Sequence, residues 1–136
     1  MPVLTAEQRS EMIRLALQAR QSAYAPYSHY QVGAALLATD GRIFSGANVE
    51  NAAYPTSMCA ERVAVFSAIV AGARRFNAIA VATANGAAPC GSCRQVLSEF
   101  GMGIIVLIVD ASGRVLSETT LADLLPGAFL PKDLEP

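Results

Sequence analysis

Apolar residues recur along this chain with two different periods, and the switches between them divide it into elements. Thr5 with Gln8 three residues later has the pattern of a capping box. Met12, Ile13, Ala16, Leu17 and Ala19 then repeat at helical spacing, which predicts a helix running to about Ala23. Pro26 bars its continuation. Two strand-like runs follow, at residues 30–38 and 42–49, joined by the hairpin signal Thr39-Asp40-Gly41. A helical pattern over residues 59–71 stops at Gly72, and the apolar run 78–84 reads as a strand. A second helical pattern from residue 90 to about 100 stops at Gly101, and a strand over 104–110 follows. Helix, strand, helix, strand with short links implies crossovers onto a mainly parallel sheet. Asp110-Ala111-Ser112-Gly113 is too short for a crossover helix, so residues 114–118 return antiparallel. Residues 121–125 make a last short helix, cut by Pro126-Gly127. The expected architecture is α/β: one domain over residues 1–136, a five-stranded sheet sandwiched by helices, with an antiparallel last strand.

Composition narrows the function classes. Apolar residues make up 53% of the chain and the formal net charge is −1. That apolar share is high for a small monomer and points to an apolar subunit interface, although an alanine-rich core is the plainer reading. The longest basic run is Arg74-Arg75, so no surface for tracking phosphates is expected, and no nucleic-acid partner. The N-terminal residues lack a basic segment followed by an apolar one, as a signal peptide would have. No apolar run approaches the roughly 18 residues of a membrane span, and residues 104–109 read as a buried strand. Three cysteines without evident pairing suit a reducing, cytoplasmic compartment.

All three cysteines fall into one pattern: Cys59-Ala60-Glu61, then Pro89-Cys90-Gly91-Ser92-Cys93. Three soft ligands with one carboxylate outside the ligand set suit a catalytic zinc ion, which keeps a fourth position open for water. Cys90 and Cys93 share one face of a helix's first turn, and Pro89 suits a helix start. Cys59 also falls near a helix start, so two helix N-termini would aim free N–H groups at three thiolates and ease their deprotonation. Three thiolates on a divalent ion leave an excess negative charge, which Arg62, or failing it Arg94, could offset. Plainer readings stand beside each of these. Arg62 could be a solvated helix charge, and Glu61 a first-turn acid complementing the helix dipole. Cys90 and Cys93 could form a redox pair. A closed structural zinc site could recruit His29 as a fourth ligand.

The signature of a Cys trio, a neighbouring Glu and a Pro-Cys-x-x-Cys marks the zinc-dependent deaminases, and the flanking segments narrow the resemblance. Tyr24-Ala25-Pro26-Tyr27-Ser28, Gln31-Val32-Gly33-Ala34-Ala35-Leu36, Asn48-Val49-Glu50-Asn51-Ala52, Cys59-Ala60-Glu61-Arg62, Pro89-Cys90-Gly91-Ser92-Cys93-Arg94-Gln95-Val96 and Leu125-Pro126-Gly127-Ala128-Phe129 resemble the small homotetrameric cytidine deaminases. The resemblance implies a three-layer α/β/α fold with a five-stranded mixed sheet whose last strand is antiparallel, and one zinc ion per subunit. It implies hydrolytic deamination of cytidine and 2′-deoxycytidine to the uridine forms, with release of ammonia in pyrimidine salvage. Cys59, Cys90 and Cys93 would hold the metal, and Glu61 would move protons. Asn48 and Glu50 would bond the ribose 3′-hydroxyl, although ordinary turn chemistry at a strand end is the plainer reading. The backbone of Ala60 would contact the base, and Tyr54 would shape the ribose pocket. Phe129 would reach into a neighbouring subunit's site, unless it is a tail residue packing on its own domain. Tyr30 stands where that family usually has Phe, so its hydroxyl needs a partner if buried and the pocket is expected to be slightly more polar. The rivals are a deaminase of a modified cytosine nucleoside such as blasticidin S, a zinc-stabilised binding module, and a polynucleotide editor, the last disfavoured by charge.

Overall fold

The computed structural model describes residues 4–135. The first helix, α1 (Ala6–Arg20), starts with the capping box the sequence indicates: the Gln8 amide donates to Thr5 Oγ1 and the Thr5 amide to Gln8 Oε1. It stops three residues short of the expected end, at Arg20. Met12 and Ala16 are its buried residues, with Ile13, Leu15 and Leu17 packed beside them. Strands β1 (Gly33–Ala38) and β2 (Ile43–Ala47) form the hairpin, whose turn needs the left-handed backbone of Gly41 at φ 95°. Then come α2 (Ala60–Val70), β3 (Phe76–Ala82), α3 (Gly91–Ser98), β4 (Ile105–Val109), β5 (Val115–Thr120) and α4 (Leu121–Leu124).

The strands lie in the order β2-β1-β3-β4-β5. Among the described strands only β3 and β4 pair in parallel; β1 is antiparallel to both β2 and β3, and β5 to β4. The sheet is therefore mixed with an antiparallel last strand, as expected; only the mainly parallel pairing read from the alternation of helices and strands is corrected. The crossovers themselves are as expected, because β2, β3 and β4 all run one way and are joined through α2 and α3. What the alternation of elements conceals is that β1 lies between β2 and β3, replacing one parallel pairing with two antiparallel ones.

All six residues of β1 are buried because the strand serves two cores. Ala34, Leu36 and Ala38 join Ile79, Val81, Ala64 and Leu97 on one face of the sheet. Ala35 and Leu37 join Met12, Ala16, Ala80 and Leu107 on the other. With α1 on one face and α2 and α3 on the other, the layers are α/β/α. Since β2 and β3 are parallel, α2 and α3 both start at the same end of the sheet, where α/β folds gather ligands. Gly46 lets α2 lie close: a Cβ there would come within 2.5 Å of both the Ala60 carbonyl oxygen and the Ala64 amide nitrogen.

Candidate active site

Cys59 and Cys90 are the N-cap residues of α2 and α3, and Cys93 lies in the first turn of α3. Cys59 has extended backbone, φ −74° and ψ 151°. The wide angular separation that two helical residues would impose between Cys59 and Glu61 therefore does not apply. The three sulfurs converge. Cys59 and Cys90 are 3.9 Å apart, Cys90 and Cys93 3.5 Å, and all lie within 4.8 Å of one another. Thiolates about 2.3 Å from a tetrahedral zinc stand about 3.8 Å from each other, so the donor set and its spacing fit that ion. Cys59 stands with the other two, which leaves little for a Cys90–Cys93 redox pair; His29 is exposed, with φ 58°, and is not among the converging groups.

Arg62 Nη2 donates to Cys59 Sγ at 3.4 Å, as charge counting on the sulfurs anticipates. Arg94 turns elsewhere: its Nε donates to the Pro89 carbonyl and its Nη1 to the Leu124 carbonyl, so it braces the α3 start against α4. Hydrogen bonds from Cys93, Arg62 and Cys90, against an opposing cost of burial, draw the Cys59 thiol down to about 5. Cys93 is pushed far up, by its bond to Cys59, by burial and by the charges of Glu61 and Cys59. In the metal-free protein, one sulfur thus carries the charge and its buried neighbour the proton.

Glu61, in the first turn of α2, is 4% exposed. Burial, then the Cys59 charge, raise its carboxyl above the ordinary range despite a helix-terminal N–H bond. A buried carboxyl displaced upward in this way suits proton transfer.

Glu61 borders a cavity of about 300 Å³ together with Cys59, Cys90 and Ala60. Tyr30, Asn48 and Glu50 line the same space, so most of the expected site residues converge there. Asn48, 9% exposed, donates through Nδ2 to the Tyr30 carbonyl and accepts at Oδ1 from the Val32 amide. One N–H and one lone pair of its amide stay free for a ligand. Glu50 Oε1 accepts from the Tyr27 and Ser28 amides at 3.0 Å each, and Oε2 from the Ser28 hydroxyl. Those bonds, led by the hydroxyl's, hold its carboxyl below the ordinary range.

Tyr54 and Phe129 lie outside this cavity. Tyr54, 69% exposed, stands edge-on to Tyr27 in an adjoining space of about 360 Å³ that shares Ser28, Glu50 and Ser57 with the first. Phe129 is 56% exposed, and its carbonyl accepts from Gln95 Nε2. The Tyr30 hydroxyl finds its partner in Asn85 Oδ1 at 2.6 Å. That bond uses its single donor and leaves the oxygen as an acceptor. Sequence reasoning singled out neither Asn85 nor the cavity residues Thr83, Ala87 and Ala88. Their sole signal is their place in the link before Pro89-Cys90. Ser28 could have been found, since it ends the Tyr24-Ala25-Pro26-Tyr27-Ser28 segment.

Known proteins share this architecture and sequence. Residues 6–109 match the family model described as the cytidine and deoxycytidylate deaminase zinc-binding region. A cytidine deaminase of Sporosarcina psychrophila is 48% identical over 91% of this chain and 93% of its own. That of Halalkalibacterium halodurans is 45% identical over 93% of this chain and 97% of its own. The crystal structure of cytidine deaminase from Burkholderia pseudomallei superposes with a TM-score of 0.85 at 47% identity, covering 93% of this chain and all of that one.

Proposed function

The chain belongs to the cytidine and deoxycytidylate deaminase family, and from that membership we propose that it hydrolyses cytidine and 2′-deoxycytidine to the corresponding uridines and ammonia. The observation that carries this reading is one small cavity with a buried carboxyl, Glu61, and the Cys59 and Cys90 sulfurs together, and an ionised Glu50 beside Asn48. The cavity volume suits a small ligand. No Lys or Arg is among the described residues lining it or the adjoining space, and Glu50 is negative there. A neutral nucleoside is favoured over a nucleotide, whose phosphate would meet a carboxylate.

A zinc ion held by Cys59, Cys90 and Cys93 would supply a water acidified to about neutral pH. Arg62, bonded to Cys59, offsets the excess negative charge of three thiolates without occupying a ligand position. Glu61 accepts the water's proton and hands it to ring N3, which makes C4 the electrophilic centre. The water oxygen adds to C4. Glu61 then carries the second proton to the departing amino group, which leaves as ammonia. The Ala60 backbone abuts the base, and Asn48 and Glu50 receive the ribose 3′-hydroxyl: the carboxylate accepts, and the amide's free N–H or lone pair completes the pair. Tyr54, in the adjoining space, bounds the sugar side.

Residues 1–136 act as one deaminase domain, working as a cytoplasmic homotetramer in pyrimidine salvage. Several features support assembly. Val70 (90%), Phe129 (56%) and Phe66 (44%) are large apolar side chains exposed on the single chain, and the buried Arg62 Nε has no partner among the described residues. Phe129, which does not line the cavity of its own chain, is free to stack on the base in a neighbour's site. Three free thiols suit a reducing compartment, and among the described residues no helix is long and apolar enough to cross a membrane.

The test is ultraviolet detection of cytidine conversion by the zinc-loaded protein, with cytidine 5′-monophosphate in parallel. Cytidine turnover with little on the monophosphate is expected. Preference for the monophosphate would overturn the nucleoside assignment. Inactivity on both would point to a modified cytosine nucleoside.

A further inference from the structure

Tyr30 and Asn85 are 55 positions apart, yet Tyr30 Oη donates to Asn85 Oδ1 at 2.6 Å. The same Oδ1 lies 3.3 Å from Thr83 Oγ1, and that hydroxyl accepts from the Ala87 amide at 2.9 Å. Between them Gly86, at φ 70°, packs so tightly on β5 that a Cβ would fall 2.2 Å from Leu116 Cδ1. The loop after β3 is therefore tied by hydrogen bonds to Tyr30 and to its own Thr83, with the Leu116 side chain lying over Gly86. It matters to the site because Tyr30, Thr83, Ala87 and Ala88 all line the cavity, and Cys90 follows two residues later. Asn85 does not line it, so its influence runs through the groups it holds.

We propose that Asn85 is a positioning residue for the nucleoside cavity: by accepting the Tyr30 hydroxyl it clamps the loop 83–88 to the segment leading into β1 and so fixes two facing walls. A phenylalanine at position 30 lacks the hydroxyl and cannot make this clamp. The clamp acts on substrate grip rather than on proton transfer, because Glu61 is held from the other side, by the first turn of α2 against Gly46. The proposal rests on the nucleoside deaminase reading given above.

Zinc-loaded wild type, Tyr30→Phe, Asn85→Ala, the double variant and Asn85→Asp are compared in steady state on cytidine. Amide hydrogen exchange of residues 83–88 is measured on the same proteins without substrate. Tyr30→Phe keeps the ring and removes one oxygen, so folding is not at issue. It and Asn85→Ala each raise KM by about fivefold, the size of one neutral hydrogen bond, with kcat within about twofold. The double variant is no worse than either single one. Asn85→Asp, which keeps the acceptor, retains the wild-type KM, and exchange in 83–88 speeds up in Tyr30→Phe. Unchanged KM and exchange in Tyr30→Phe overturns the clamp, as do KM effects that multiply in the double variant. A parallel fall of kcat and zinc content would likewise reduce Asn85 to a stabilising residue. Exchange needs no turnover, so a wild type inactive on cytidine would sink the substrate reading while the exchange rates still decide the clamp.

Discussion

Two carboxyls border one cavity and are displaced in opposite directions. Glu61 sits in the first turn of a helix that Gly46 lets press against the sheet, and burial raises it. Glu50, partly buried just after the bridge at Val49, is lowered by three hydrogen bonds from Tyr27 and Ser28. The difference teaches how the site divides its labour. The sulfur end is held by the packing of two helix starts, the Glu50 end by hydrogen bonds between neighbouring segments. In the proposed reaction the raised, shielded carboxyl suits a proton carrier and the ionised one a strong acceptor for a hydroxyl.

The sharpest way to break this contrast is to neutralise both carboxyls in turn. Glu61→Gln keeps its zinc, by metal analysis, and loses about 10³-fold in kcat. Loss of zinc in step with activity would make Glu61 structural. Gly46→Ala comes next. Its Cβ meets rigid backbone of α2, so it costs about 1–3 kcal/mol of stability by denaturant titration. A neutral result would mean that α2 is free to shift, and that packing does not hold the sulfur end. Arg62→Ala weakens zinc binding about 10- to 100-fold in chelator competition, the usual cost of losing a group that supports metal ligands. Arg94→Ala removes donors that go to Pro89 and Leu124, leaves the Arg62 bond to Cys59 in place, and is expected to lower stability with zinc affinity little changed. The smallest effect belongs to Glu50→Gln, which raises KM about tenfold with kcat little changed, as loss of a charged acceptor implies.

The two carboxyls also differ in the sign of their pH dependence. In the zinc-free protein, the protonated Glu61 favours the fold. Its contribution is whole below the ordinary value of 4.5 and is lost as pH rises through the raised folded value. Glu50 contributes only when ionised: its share is present above 4.5 and is lost as pH falls through the lowered folded value. Thermal unfolding against pH should therefore flatten on the neutral side in Glu61→Gln and on the acid side in Glu50→Gln. The same slopes in both variants would erase the distinction.

Much of this is legible in the sequence. Thr5 and Gln8, Gly41, Gly72 and Gly101 mark element ends because capping and left-handed turns depend on residues a few positions apart. The cysteine trio was legible because each half lies within one helix start, and zinc chemistry restricts which residues can hold it. Other features join segments far apart in the chain. The insertion of β1 between β2 and β3 follows from where the hairpin docks, which no local period records. Asn85 reads as an ordinary loop residue until the fold brings Tyr30 to it.

The sequence by itself determined the periodic elements, the three metal-ligand positions and the acid beside them, since each rests on side-chain chemistry and short-range spacing. The tertiary structure alone decided the strand order, the commitment of Arg62 rather than Arg94 to a sulfur, and the opposite displacements of Glu61 and Glu50. Those depend on burial and on partners that only the packed chain brings within hydrogen-bonding distance.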